Sequence, residues 1–373
     1  MSSDYLGKEI PKLGFGLMRL PMLGEEVDLV QVNEMVDKFM QAGFTYFDTA
    51  YVYINGKSEV VAKEALVNRY PREAFQLATK MPVWMAHNRE DLERLFQTQL
   101  ERTGAGYFDF YLLHALDNER AVAVENMGAW DFVKEMKEKG FIKHLGFSFH
   151  DKADVLEEIL LKHPEAEFVQ LQINYMDWDH KDIQSGKCYQ VARKYNKPII
   201  IMEPIKGGSL AVMRPEIQNM FKEAQPDLSI ASWAIRYAAS LDGIITVLSG
   251  MSNLPQMEDN LSYMTEFKPL QADEKAVVDN VIKELAKIPT IPCTGCKYCV
   301  EDCPQKIDIP AVFNCYNGYE LYKNLDSAKG NYAWTTSMSG KASGCIECGS
   351  CESHCPQHLK IIDTLKEAVA LLE

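Results

Sequence analysis

Residues 108–149 read FDFYLLHALDNERAVAVENMGAWDFVKEMKEKGFIKHLGFSF: two short apolar runs, 108–114 and 144–149, flank a segment of helical period at 130–139. Gly140 closes that segment, at the point where a helix end calls for a residue free to take positive φ. A strand–helix–strand unit that is apolar through both runs belongs to a parallel sheet covered on both faces. The alternation continues in both directions, through LGFGLM (13–18), FTYFDTA (44–50), FQLATK (75–80), FVQLQIN (168–174), PIIIME (198–203) and GIITVLS (243–249). Between the runs lie further helix-period segments at 29–42, 89–103, 152–163 and 230–239, with Gly43 at the end of the first. Eight βα units match the count of a (β/α)8 TIM barrel, an α/β fold. A doubly wound open sheet is the alternative, but no GxGxxG opens a helix after the first run.

The 373 residues, 47% hydrophobic and 25% charged, describe a globular protein of more than one domain. With 39 basic against 53 acidic residues the net charge is -14, which repels phosphate backbones and anionic lipid, so no nucleic acid or membrane partner is expected. The start of the chain lacks the pattern of a secretory signal, and no apolar run is long enough to span a bilayer; the expected location is cytoplasmic. In that compartment ten cysteines point to metal rather than disulfides, and nine of them follow residue 290.

A helix-period segment at 272–288 precedes Pro289, Pro292 and the cysteine-rich region. The expected division is a barrel over 1–270, a connecting helix and linker over 271–292, and a C-terminal α-helical ferredoxin-like iron–sulfur domain over 293–373. Within it CxxCxxCxxxCP occurs twice, as Cys293, Cys296, Cys299, Cys303-Pro304 and as Cys345, Cys348, Cys351, Cys355-Pro356. This is the signature of two 4Fe-4S clusters, in which three cysteines of one run are completed by the fourth of the other. The first cluster then takes Cys293, Cys296, Cys299 and Cys355, and the second Cys345, Cys348, Cys351 and Cys303. A zinc site explains neither the third spacing nor the trailing prolines. Cys188 and Cys315 read as packed thiols. The insertion between the runs carries Tyr316, Tyr319, Tyr322, Tyr332 and Trp334, read as packing aromatics.

Asp48, Tyr53, Lys80 and His114 fall at or just after the C-terminal ends of the second, third and fourth runs, the face on which barrel active sites assemble. Singly, each has an ordinary reading as a cap, a loop aromatic, a rim charge or a rim histidine. Jointly they form a proton-delivery set for carbonyl reduction. The Lys80 ammonium favours the Tyr53 phenolate, Asp48 holds Lys80, and His114 orients the carbonyl oxygen.

With GFGLMRL (14–20), FDTAYVYINGKSE (47–59), LATK (77–80), DFYLLH (109–114), LGFS (145–148), LQINY (171–175) and MEDN (257–260) in order, the chain resembles the aldo-keto reductases, specifically the subgroup with a C-terminal ferredoxin-like domain. The resemblance implies a barrel that binds a nicotinamide dinucleotide without a Rossmann domain and acts on a small carbonyl or alcohol substrate through the Asp-Tyr-Lys-His set. It also implies cofactor contacts at Gly16 and Met18, a carboxamide held by Ser148 and Gln172, nicotinamide against Met202, and pyrophosphate and adenosine held by 204–210, with Ile205 and Gly207, and by 249–260, with Ser249, Gly250, Asp259 and Asn260.

The sequence departs from the family pattern in three places. Phe149 stands where many members have Asn, Met202 where an aromatic residue stacks on nicotinamide, and Gly250 and Gln256 where basic residues grip a 2′-phosphate. NADH, NADPH and a flavin in the same trough therefore all stay open as cofactors. A cluster passes electrons singly whereas a nicotinamide passes a hydride, so a circuit between them calls for a flavin in the barrel or on a redox partner protein. Otherwise the clusters serve to stabilise a small domain. The alternative function is an electron-transfer or redox-sensing protein whose barrel is a docking scaffold.

Overall fold

A computed structural model describes residues 5–181, 183–293 and 295–373. Eight parallel strands close into a barrel: β1 Leu13–Gly16, β2 Tyr46–Asp48, β3 Gln76–Met81, β4 Phe108–Leu116, β5 Ile142–Phe149, β6 Phe168–Gln172, β7 Ile199–Met202 and β8 Ile244–Ser249. Each neighbours the next in sequence, and β1 pairs with β8 as Leu13 to Val247 and with β2 as Gly16 to Asp48. The open-sheet alternative is thereby excluded.

Closure depends on small residues beside large ones. A Cβ on Gly14 would lie 2.9 Å from the Leu248 side chain, and one on Gly146 would lie 2.5 Å from the Phe168 carbonyl oxygen and 2.7 Å from its ring. The space they leave is filled by Tyr46, Phe110, Phe168, Ile200 and Leu248, which pack with Ala78, Leu112 and Ile245 inside the barrel.

The outer helices start and stop where their sequences dictate. Asp28 and Asn88 accept the first free N–H groups of helices Leu29–Gln41 and Arg89–Thr103, from Gln31 and Asp91. Gly43, Gly104 and Gly140 take positive φ just past helix ends, as read for Gly43 and Gly140. Helix Leu29–Gln41 buries Val32, Met35, Val36 and Phe39, the apolar stripe of its period.

The chain forms two compact units that are not contiguous in sequence. The first comprises 1–204 and 234–271, and the second 205–233 and 272–373. Helix Ala272–Leu285 and the segment holding helix Pro215–Ala224 both belong to the second, where these two helices pack together. That unit also contains helices Ile309–Tyr322, Leu325–Thr336 and Ile361–Leu372, around a core of Ile307, Ile309, Val312, Phe313, Tyr332, Leu365 and Ala368. Among the described residues, no helix is long and apolar enough to cross a membrane.

Candidate active site and cluster pockets

Strand geometry alone delivers Asp48, Lys80 and His114 to the barrel's C-terminal side, at the end of β2 and late in β3 and β4. Tyr53 arrives by a turn: its N–H donates to the Ala50 carbonyl at 3.1 Å, and its own carbonyl accepts from Gly56 and Ser58 at 3.1 and 3.2 Å. Ile54, Asn55 and Gly56 all take positive φ there, a reversal that Asn and Gly tolerate best.

The four expected catalytic residues are brought together. Lys80 is fully buried; its Nζ donates to Asp48 Oδ1 at 2.6 Å and to the Thr49 carbonyl at 2.8 Å, and lies 4.8 Å from the centre of the Tyr53 ring. The Tyr53 and His114 rings are 6.0 Å apart, edge to face. Burial opposes the Lys80 charge, but Asp48 and the Tyr53 oxygen outweigh it and raise its pKa, so the ammonium persists.

For Tyr53 the balance differs from the sequence expectation. Burial raises its pKa, and the nearby Lys80 ammonium offsets only part of that rise, so Tyr53 is a neutral phenol with a proton to give. His114 is neutral as well. Burial, followed by the Lys80 ammonium and by the nearness of His150 and Arg120, holds its pKa well below the usual histidine value, and its Nδ1 has no partner among the described residues.

The folded His114 resists a proton that the unfolded chain takes up as pH falls through about 6.5. Its contribution to stability is full above that pH and is lost on going down toward the folded pKa. Between pH 7 and pH 5 the urea midpoint of the barrel, followed by proteolysis, should fall less in His114→Gln than in the unaltered chain. An identical fall in both would show that His114 is protonated in the folded barrel.

Behind Lys80 lies a polar cluster that the sequence reading did not single out. Glu59, fully buried, accepts from Thr79 Oγ1 at 2.7 Å and Gln99 Nε2 at 2.8 Å; Gln99 Nε2 also reaches the Lys80 carbonyl at 3.0 Å and its Oε1 accepts from Tyr111 at 2.6 Å. The available signal was Glu59 itself, an acid on the inner side of the short helix Ser58–Ala62. Exposed Trp84 sits with its ring centre 5.1 Å from that of His114, and the Arg120 guanidinium lies over the Trp84 ring at 5.1 Å.

The expected cofactor positions divide between the units. In the first, Gly16, Gln172, Met202 and Ser249 end β1, β6, β7 and β8, while Ser148 lies near the end of β5. Gly16 stands close to the Ser249 carbonyl, Gly250 next to the Arg19 side chain, and Met18 is exposed. Met202 pairs with Gln172, and its sulfur receives Gln170 Nε2 at 3.5 Å. Asp259 and Asn260 lie on helix Leu254–Met264, where buried Asn260 Oδ1 has no partner among the described residues. Ile205 and Gly207 belong to the second unit. Gly207 takes positive φ, and its carbonyl accepts from Ser327 at 3.4 Å while that of Gly208 accepts from Asn324 at 3.2 Å.

Also in the second unit, two apolar-walled pockets each collect four thiols. Cys293, Cys296, Cys299 and Cys355 line one with Phe313 and Ile361, and Cys303, Cys345, Cys348 and Cys351 line the other with Ile307 and Leu365. Each pocket thus takes three cysteines from one run and the fourth from the other. Among the described residues no three Cys, His, Asp or Glu side chains converge on a point that would hold a single ion. The donor set fits a polynuclear thiolate-bound group.

The sequence matches the Aldo/keto reductase family over residues 12–283 and a 4Fe-4S dicluster domain over 292–359. An uncharacterized oxidoreductase of Bacillus subtilis is 24% identical over 311 residues, 75% of this chain and 95% of that protein. L-galactose dehydrogenase of Arabidopsis thaliana is 23% identical over 292 residues, 73% and 89% of the two chains. Among solved structures, an aldo-keto reductase of Klebsiella pneumoniae in complex with NADPH aligns with a TM-score of 0.58 at 18% identity, covering 73% of this chain and 91% of that one. The holo form of a Bacillus halodurans aldo-keto reductase gives 0.56 at 22% identity, covering 73% and 92%.

Proposed function

Because the chain belongs to the aldo/keto reductase family and carries a 4Fe-4S dicluster domain, we propose that this oxidoreductase reduces a small aldehyde or ketone, or oxidises the alcohol, with Tyr53 as proton donor and a nicotinamide dinucleotide in the barrel. The observation that carries the reading is the buried Asp48–Lys80 pair at 2.6 Å beside Tyr53 and His114. A docking scaffold has no use for a buried ammonium aimed at a phenol. The Klebsiella relative, solved with NADPH, supports the choice of cofactor.

When bound, a dihydronicotinamide supplies the hydride that the carbonyl carbon takes up. The chain's residues handle the proton. Tyr53 donates its phenolic proton to the carbonyl oxygen, and the phenolate left behind lies against Lys80, whose charge Asp48 and the Thr49 carbonyl hold in place. Neutral His114 orients the carbonyl oxygen with a ring N–H and adds no competing acid. Trp84 forms an apolar wall beside it.

The eight cysteines are assigned as ligands of two 4Fe-4S clusters, one per pocket, which supply one-electron exchange with a redox partner protein and cross-links for a small domain. Anaerobically purified, cluster-loaded protein should oxidise NADH or NADPH in the presence of a small aldehyde or ketone, with saturation in both substrates. Absence of turnover with either dinucleotide across a panel of such carbonyls, in protein with full iron content, would overturn the reductase reading and favour an electron-transfer role.

A further inference from the structure

We infer that Asp177 fixes which end of the Gln172 side-chain amide faces the nicotinamide carboxamide, making Asp177 a positioning residue for the cofactor; the inference rests on the nicotinamide reading above. Asp177 is 1% exposed, in the turn that follows β6. Its Oδ2 accepts from Gln172 Nε2 at 3.0 Å and from Asn174 Nδ2 at 2.7 Å. A carboxylate only accepts, so it draws the NH2 of Gln172 toward itself and turns the carbonyl oxygen away. The opposite flip would set oxygen against oxygen.

Asp177 is itself locked by backbone groups. Asn174 Oδ1 accepts the N–H groups of Met176 and Asp177 at 3.1 and 3.0 Å, which commits its NH2 to Asp177 Oδ2 and to the Glu203 carbonyl at 3.1 Å. The order of polarity therefore runs from backbone N–H, through Asn174 and Asp177, to Gln172. Its outcome is an acceptor, Gln172 Oε1, at the C-terminal end of β6.

The neighbouring strand carries the complementary group. Ser148 Oγ accepts the N–H of Ala115 at 2.7 Å, which leaves its single hydrogen to be donated elsewhere. Ser148 pairs with Gln170, so Ser148 and Gln172 stand on the same face of adjacent strands. One fixed donor and one fixed acceptor match a primary carboxamide, whose oxygen accepts and whose NH2 donates. This is how the site dispenses with a third polar contact at Phe149.

The test compares the affinity of the cluster-loaded full chain for NAD+ and for 3-acetylpyridine adenine dinucleotide, in which a methyl group replaces the carboxamide NH2, by calorimetry. The unaltered chain should prefer NAD+ by about fivefold, the value of one neutral hydrogen bond, and Asp177→Asn should reduce the preference below about twofold by letting Gln172 flip. Asp177→Ser, which frees the same amide, serves if the first variant folds poorly. Equal binding of the two dinucleotides by the unaltered chain, or a preference undiminished in both variants, would overturn the role of Asp177. Failure of the unaltered chain to bind either dinucleotide while it retains a flavin would instead overturn the nicotinamide reading beneath it.

Discussion

Tyr53→Phe should lower carbonyl reduction about a thousandfold, the scale of a lost general acid, while iron content stays whole and dinucleotide affinity moves less than about twofold. The expectation follows from what the substitution removes. The ring, its edge-to-face contact with His114 and its place over Lys80 survive, and only the hydroxyl that carries the proton is lost. Because burial raises the Tyr53 pKa despite Lys80, the phenol stays protonated across the neutral range. The reductive rate should therefore hold steady as pH rises through neutrality and fall only in the alkaline range. A Tyr53→Phe variant within about tenfold of the unaltered rate would remove Tyr53 from the chemistry, since one factor of ten is only about 1.4 kcal/mol of barrier. Lys80→Met is a weaker test, because it leaves the Asp48 carboxylate buried and unpaired and so lowers stability as well.

Cys303→Ala and Cys355→Ala should give opposite patterns of cluster loss. In the pockets Cys303 sits with Cys345, Cys348 and Cys351, whereas Cys355 sits with Cys293, Cys296 and Cys299. Removing Cys303 should therefore strip the cluster of the distant run and spare the one beside it in sequence, with roughly half the iron retained. Iron counting and electron paramagnetic resonance on the two reduced variants distinguish this from ligation within each run. The same resonance pattern from both variants, or loss of the neighbouring cluster, would refute the crossed assignment. Because Ile307, Ile309 and Phe313 join the core and also wall the pockets, chelating all the iron should loosen helix Ile309–Tyr322 ahead of the barrel, which hydrogen exchange can follow.

The eight barrel strands were legible because most of their residues are buried on both faces and so read as mainly apolar runs, of which GIITVLS at β8 is the clearest. Helices with a strong apolar stripe, such as Leu29–Gln41, were legible for the same kind of reason. Helices Asn118–Asn126 and Leu325–Thr336 were not. Each buries only one or two residues, Val124 in one and Ala328 and Tyr332 in the other, so their sequences carry little period to read. Asp48, Tyr53, Lys80 and His114 and the two cysteine runs stood out because they set distinctive residue types at or just after strand ends and at fixed spacings. The direction of the Tyr53 shift was not visible, since it depends on how deeply Lys80 and Tyr53 are enclosed, which spacing does not report. Asp177 escaped notice because its role lies in whom it accepts from, and an Asp in a turn ordinarily caps its own backbone.

The discontinuous second unit has a consequence for biosynthesis. Helix Pro215–Ala224 turns Ile217 and Phe221 inward, yet its packing partner Ala272–Leu285 leaves the ribosome only after the 47 residues of 225–271. At roughly 5–20 residues per second that interval lasts several seconds. Through it the nascent chain carries that helix without Ala272–Leu285, while the last strand of the barrel, β8, is still being made. That interval closes before the first cysteine of the two runs, Cys293, has been made, so iron delivery acts on a chain whose earlier segment already has its mate within reach.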